Sequence, residues 1–139
     1  FESEGISWER VILASRVESA EQHLARLGLA DLMLDTFPYN SHTTACDAIK
    51  SGLPVLTLYG SSFQSRVCSS LLQHLGAPSL IAQSMEEYRK KAVALAKDPT
   101  GFAEVKTRLH TGRSKRIEPA GYAQALEQLY ASALSSHSK

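Results

Sequence analysis

The sequence predicts a three-layer α/β domain with a mostly parallel sheet of four or five strands and helices on both faces. Three observations carry this. Short apolar runs suited to buried parallel strands recur along the chain: Val11-Ile12-Leu13, Leu32-Met33-Leu34, Val55-Leu56-Thr57-Leu58 and Ser79-Leu80-Ile81-Ala82. Helical signals separate them, the alternation expected of βαβ units with right-handed crossovers. One such unit, Leu29 to Gly60, concentrates polar groups where its first strand ends and its helix begins, the edge at which parallel sheets bind ligands.

Taken in order, Phe1 to Glu9 is mixed and reads as a partly ordered end, with Trp8 the one side chain suited to anchoring it. Val11 to Leu13 reads as the first strand. Ser19-Ala20-Glu21-Gln22 has the form of a capping box, so a helix starts there and runs to about Leu27. After Leu32 to Leu34, the turn residues Phe37-Pro38-Tyr39-Asn40 break the strand, and Ser41-His42-Thr43-Thr44 supplies capping hydroxyls for a helix over Ala45 to Ser51. Gly52 and Pro54 stop that helix. Val55 to Leu58 is the next strand and Gly60-Ser61-Ser62 a flexible turn able to approach a ligand closely. Gln64 to Leu75 is helical, with Val67, Leu71 and Leu75 on one stripe and Gly76 as terminator. Arg66 in its first turn suits either a phosphate or its own loop. A second capping box at Ser84 to Glu87 opens a helix to about Lys97, whose Lys90 and Lys91 read as a solvated face. Phe102 to Leu109 is helical. The basic run Lys106, Arg108, Arg113, Lys115 and Arg116, broken by Gly112, reads as a solvated connector. Pro119 starts a last helix with Tyr122, Leu126, Leu129 and Ala133 near one stripe.

The chemistry lies between residues 41 and 47. A helix amino terminus presents unpaired N–H groups and a partial positive charge, which suit a phosphate. Thr43 and Thr44 add hydroxyls there, and His42 adds an imidazole able to donate to an anion. Asp47 lies one turn further along the face of Thr43. A carboxylate repels phosphate but accepts well from sugar hydroxyls. The set therefore suits a nucleotide, with diphosphate on the helix terminus and ribose on Asp47. Ordinary helix capping accounts for the same residues, as does another phosphorylated ligand. His23, with Arg26 three residues on, reads by spacing alone as a surface histidine. No G-x-G-x-x-G run is present, which argues against a dinucleotide binder of that kind.

The 139 residues suit one domain over 1–139, and 43% hydrophobic with 21% charged residues is ordinary for a globular chain. A net charge of +1 favours neither nucleic acid nor an anionic membrane, and no apolar run approaches the ~20 residues that span a bilayer. Cys46 and Cys68 point to a reducing, cytoplasmic setting rather than a disulfide framework. Histidines and cysteines show no metal-ligand spacing, so no metal or cofactor is expected.

From Val11 to Tyr88, and above all in DTFPYNSHTTACDA (residues 35–48) and the later Ser65-Arg66-Val67, the sequence resembles the carboxyl-terminal half of the O-GlcNAc transferase family. That family includes the plant SPINDLY proteins and bacterial TPR-containing relatives. The resemblance implies a GT-B glycosyltransferase, whose two Rossmann-like halves enclose a nucleotide sugar. This chain, which begins at Phe1, is then the second half, a fragment of a longer chain. The implied reaction is inverting transfer from a nucleotide sugar, UDP-GlcNAc or another such as GDP-fucose, to protein Ser or Thr. Its implied partners are the acceptor protein, the first catalytic lobe and TPR repeats. By the same resemblance His23 packs on the base and Arg26 contacts its edge, while His42, Thr43 and Thr44 act catalytically at the diphosphate and Asp47 holds the ribose. One departure is Ala20, which stands where many relatives carry a lysine directed at ribose and diphosphate. It leaves a non-catalytic nucleotide-binding module of a TPR protein as the alternative.

Overall fold

Two capping boxes and two left-handed glycines fix four of the helix ends in the computed structural model, which describes residues 1–113 and 119–137. The Ser19 hydroxyl accepts the Gln22 N–H at 3.2 Å, and the Gln22 side chain accepts the Glu18 N–H at 3.1 Å, opening α1 (Ala20–Leu27). Ser84 and Glu87 repeat the device at α4 (Met85–Lys97), with bonds of 3.1 and 2.7 Å. The Gln83 N–H on its carboxylate, then Lys91 beside it, hold Glu87 below the usual carboxylate range. At Gly52 (φ 82°) the chain leaves α2 (Thr43–Lys50), and the Leu53 N–H closes on the Ala48 carbonyl at 2.8 Å. Gly76 (φ 73°) ends α3 (Val67–His74) in the same way.

The sheet has three parallel strands in the order β1 (Met33–Leu34), β2 (Val55–Leu58), β3 (Ile81–Ala82), with Met33 opposite Val55 and Thr57 opposite Ile81. All four β2 residues are buried, so both faces of this central strand are covered, as side-chain alternation requires. Val55, Leu72, Leu80 and Ala48 join it in one core.

Expectations for the sheet and for α3 need correction. The described residues form three strands rather than four or five. Val11 to Leu13 lies outside the sheet, with Ile12 and Leu13 exposed at 87% and 76%; an apolar run becomes a strand only where an edge accepts its backbone groups, and among the described residues none does. Ser79 and Leu80 belong to a 3-10 turn (Pro78–Leu80) ahead of β3. Helix α3 starts at Val67, because Gln64 and Ser65 are taken into the turn before it.

The carboxyl-terminal third is helical. α5 (Pro99–Arg113) is longer than expected and contains Gly112, and α6 (Pro119–His137) leaves Tyr122 and Leu129 exposed. Lys106 pairs with Asp31 at 3.6 Å and Arg108 with Glu104 at 4.0 Å; Lys115 and Arg116 lie outside the described residues. Lys91 is no solvated lysine: half-buried, it bonds Glu87 at 2.9 Å and the Ile81 carbonyl, tying α4 to β3. Trp8 is 54% exposed and meets only the Phe1 ring among the aromatic contacts of the described residues. Both cysteines are free.

Gly112 sits where α5 presses on the end of α3: a Cβ there would lie 2.1 Å from the Leu75 carbonyl oxygen. Alanine in a helix ordinarily gains about 0.5–1 kcal/mol over glycine. Gly112→Ala is expected to do the reverse, lowering stability by roughly 1–3 kcal/mol, because a backbone atom has to give way. Urea unfolding of both proteins measures it; a stabilised variant would remove the close approach.

Candidate functional site

The loop from β1 to α2 is built around a buried acid. Asp35, at the end of β1, accepts the Thr36 and Ser41 N–H groups on Oδ1 at 2.9 and 2.8 Å, and the Thr57 hydroxyl on Oδ2 at 2.6 Å. Its carbonyl accepts the Tyr88 hydroxyl at 2.9 Å. Asn40, fully buried, donates to the Thr57 oxygen and the Leu58 carbonyl, both at 2.8 Å. Residues 35–41 are thereby fastened to β2, and α2 begins where this frame puts it. Asp35, Asn40 and Thr57 were not among the sequence-derived site residues.

Of those residues, His42 is the N-cap of α2, which starts two residues before the expected position, and its side chain makes no capping bond. The capping hydroxyls foreseen at 41–44 are thus not used as caps: Thr43 and Thr44 lie in the first turn and are exposed. The first N–H groups of a helix have no intrahelical partner. Uncapped by the His42 side chain, those of α2 open on the carboxyl edge of the sheet. The His42 ring stacks on Tyr39 and meets Phe63 edge-on.

The structure brings His23 and Asp47 together. Helices α1 and α2 pack side by side, and His23 Nε2 lies 3.7 Å from Asp47 Oδ2, both side chains partly exposed. Lys50 stands 3.9 Å from the other carboxylate oxygen. The Arg26 guanidinium donates to the Ser15 carbonyl and braces the loop before α1. Arg66 is exposed, and its carbonyl accepts the Ser69 hydroxyl and Ser70 N–H in the first turn of α3.

The Gly60 turn approaches its own loop rather than open space. A Cβ on Gly60 would lie 2.3 Å from the Ser65 hydroxyl, and Ser62 and Ser65 bond each other through side chain and backbone. A hollow of about 330 Å³ lies at the other end of α2, lined by Ile49, Leu53, Lys106 and His110, away from the residues at 41–47.

Fold and edge together define a parallel α/β domain of the class that binds ligands outside the carboxyl ends of its strands. The chain belongs to glycosyl transferase family 41, whose model matches residues 1–125. It is similar to the tomato (Solanum lycopersicum) protein described as a probable UDP-N-acetylglucosamine–peptide N-acetylglucosaminyltransferase SPINDLY, 32% identical over 92% of this chain and 14% of that one. It is also similar to the Caenorhabditis elegans UDP-N-acetylglucosamine–peptide N-acetylglucosaminyltransferase, 36% identical over 79% of this chain and 10% of that one. A solved mutant of the Thermobaculum terrenum O-GlcNAc transferase superposes with a TM-score of 0.80 at 34% identity, covering 93% of this chain and 25% of its own. The fold is that of a GT-B lobe, corresponding to the carboxyl-terminal catalytic half. The chain thus spans a small part of the length of its relatives.

The buried frame carries a pH signature. Burial, with the Asp35 carboxylate nearby, pushes the Cys68 thiol from 9.0 up to about 12, and the same two causes push the Tyr88 phenol from 10.0 up to about 12. Both groups favour the protonated folded state. Their contribution is whole below the unfolded values of 9.0 and 10.0 and is lost as pH rises toward about 12. Melting temperature is expected to fall above pH 9, less steeply in Cys68→Ala. Native alkylation is expected at half-exposed Cys46 well before buried Cys68; equal rates would contradict this packing.

Proposed function

We propose that this chain is the nucleotide-sugar-binding half of an inverting glycosyltransferase that moves GlcNAc from UDP-GlcNAc to protein Ser or Thr. The observation that carries the reading is the amino terminus of α2, open on the sheet edge with Thr43 and Thr44 exposed beside it and the His23–Asp47 pair one turn away. An acceptor hydroxyl attacks the anomeric carbon, the bond to the diphosphate breaks, and negative charge grows on the leaving group. Helix N–H groups and the two threonine hydroxyls meet that charge as preorganised donors, with His42 bordering them. Asp47 takes ribose hydroxyls and steadies His23, whose ring face suits a uracil. Arg26, whose guanidinium also holds the loop that leads into α1, reads the edge of the base. The first lobe, the acceptor protein and upstream TPR repeats complete the enzyme. The donor reading needs no metal, since the diphosphate is met by protein donors.

A second reading, a non-catalytic nucleotide-binding module, is favoured by Ala20, which brings no charge to the position where the resemblance expects a lysine facing ribose and diphosphate.

Titration of this chain with UDP and ADP tests the site. UDP is expected to bind and to shift His23, Thr43 and Thr44 resonances more than ADP does. Thr44→Ala removes a hydrogen bond to a charged group, roughly 1.5–3 kcal/mol, and should raise the UDP Kd about tenfold or more without lowering the melting temperature. Equal response to both nucleotides would sink the base assignment. Lower stability with unchanged affinity would reduce the 42–44 segment to helix capping. No transfer to a peptide is expected from this chain without a first lobe, because the reaction needs donor and acceptor held in one cleft.

A further inference from the structure

The His42 ring is held on three sides. Tyr39 stacks on one face, centroids 5.3 Å apart and planes 23° from parallel. Phe63 meets it at 86° with centroids 6.0 Å apart. Its Nε2 lies 3.3 Å from the Gln64 carbonyl oxygen. Tyr39 belongs to the loop after β1, Phe63 and Gln64 to the loop after β2, so one imidazole joins both loops that border the site.

These contacts determine which nitrogen is used. A carbonyl oxygen only accepts, so the Gln64 contact is a hydrogen bond only when Nε2 carries the proton. The neutral ring is then the Nε2–H tautomer and keeps its lone pair on Nδ1. The helix does not use that lone pair either, because the N-cap side chain makes no capping bond. Tyr39 and Phe63, 64% and 69% exposed, spend little of their surface on the core. Their ring contacts with His42 are what the structure gives them.

We propose that Tyr39 and Phe63 are positioning residues that hold His42 as the Nε2–H tautomer, presenting Nδ1 as an acceptor for a hydroxyl of the bound ligand. The ligand part rests on the nucleotide-sugar reading; the positioning part stands on this geometry alone. A neutral Nδ1 cannot donate, so the diphosphate falls to the α2 terminus with Thr43 and Thr44. His42 instead reads a sugar-ring or ribose hydroxyl.

Nitrogen-15 spectra of the histidine rings in this chain, recorded at about pH 8, above the ordinary imidazole range, test both parts. The expected free-state pattern for His42 is protonated Nε2 and bare Nδ1, with the two nitrogen shifts well separated. Tyr39→Ala and Phe63→Ala are expected to narrow that separation toward the averaged pattern of a solvent-exposed histidine, and Tyr39→Phe to restore it. UDP-GlcNAc is expected to move Nδ1 and leave Nε2 in place. The same movement with UDP alone assigns the hydroxyl to ribose, and its absence with UDP assigns it to the sugar ring. A protonated Nδ1 in the free chain, or alanine variants with an unchanged His42 pattern, would overturn the proposal. So would shifts at Thr43 and Thr44 on addition of UDP-GlcNAc with Nδ1 unmoved. Silence at all three residues with either ligand would instead overturn the nucleotide reading, while the tautomer and the variants still decide the positioning.

Discussion

The site depends on the Asp35 carboxylate. Burying an ionised acid is costly unless its oxygens are satisfied, and here two backbone N–H groups and the Thr57 hydroxyl satisfy them. The bonds run in two directions at once: to the loop that follows β1 and to the neighbouring strand. Asn40 doubles the link to β2 from the far end of the same loop. The amino terminus of α2 therefore inherits its place from the sheet rather than from its own short helix. Eight residues of isolated helix are marginal in water, and the frame supplies what propensity does not.

Around that frame the polar edge divides its work between two pairs of elements. Helices α1 and α2 meet at His23 and Asp47, which sets an imidazole beside a carboxylate at the position where a base and a sugar are expected. The loops after β1 and β2 meet at His42, through aromatic contacts and one carbonyl. Between them lies the amino terminus of α2, with Thr43 and Thr44 exposed in its first turn.

What was legible in the sequence was local. Both capping boxes, the Gly52 and Gly76 terminators, the four-residue strand β2 and the start of α6 follow from chemistry within a few residues, and the structure has each of them. The α/β class and the family followed as well. What was not legible depends on distant partners. Val11 to Leu13 has the composition of a strand, yet strand formation is decided by a neighbouring edge. Asp35 and Asn40 look like turn residues until Thr57, 22 and 17 positions away, is seen between them. A signal did exist: Thr57 is the polar residue inside an otherwise apolar buried strand, and such a residue needs a partner. The bond from Arg26 to the Ser15 carbonyl is of the same kind, since no motif marks that partner.

The contact at Gly112 bears on how this chain tolerates change. Most tight spots in a core are side chain against side chain, so a larger residue on one side can be forgiven by a smaller one opposite. Here the opposing atom is the Leu75 carbonyl oxygen, which is present whatever residue occupies position 75. No second-site replacement there can make room. Relief has to come from moving α5 or the end of α3 as a body, and Leu109 and Leu75 in the shared core resist that shift. Position 112 is closed to the compensating exchanges by which cores usually drift, and engineered repacking of this end of the domain has to begin by leaving it alone.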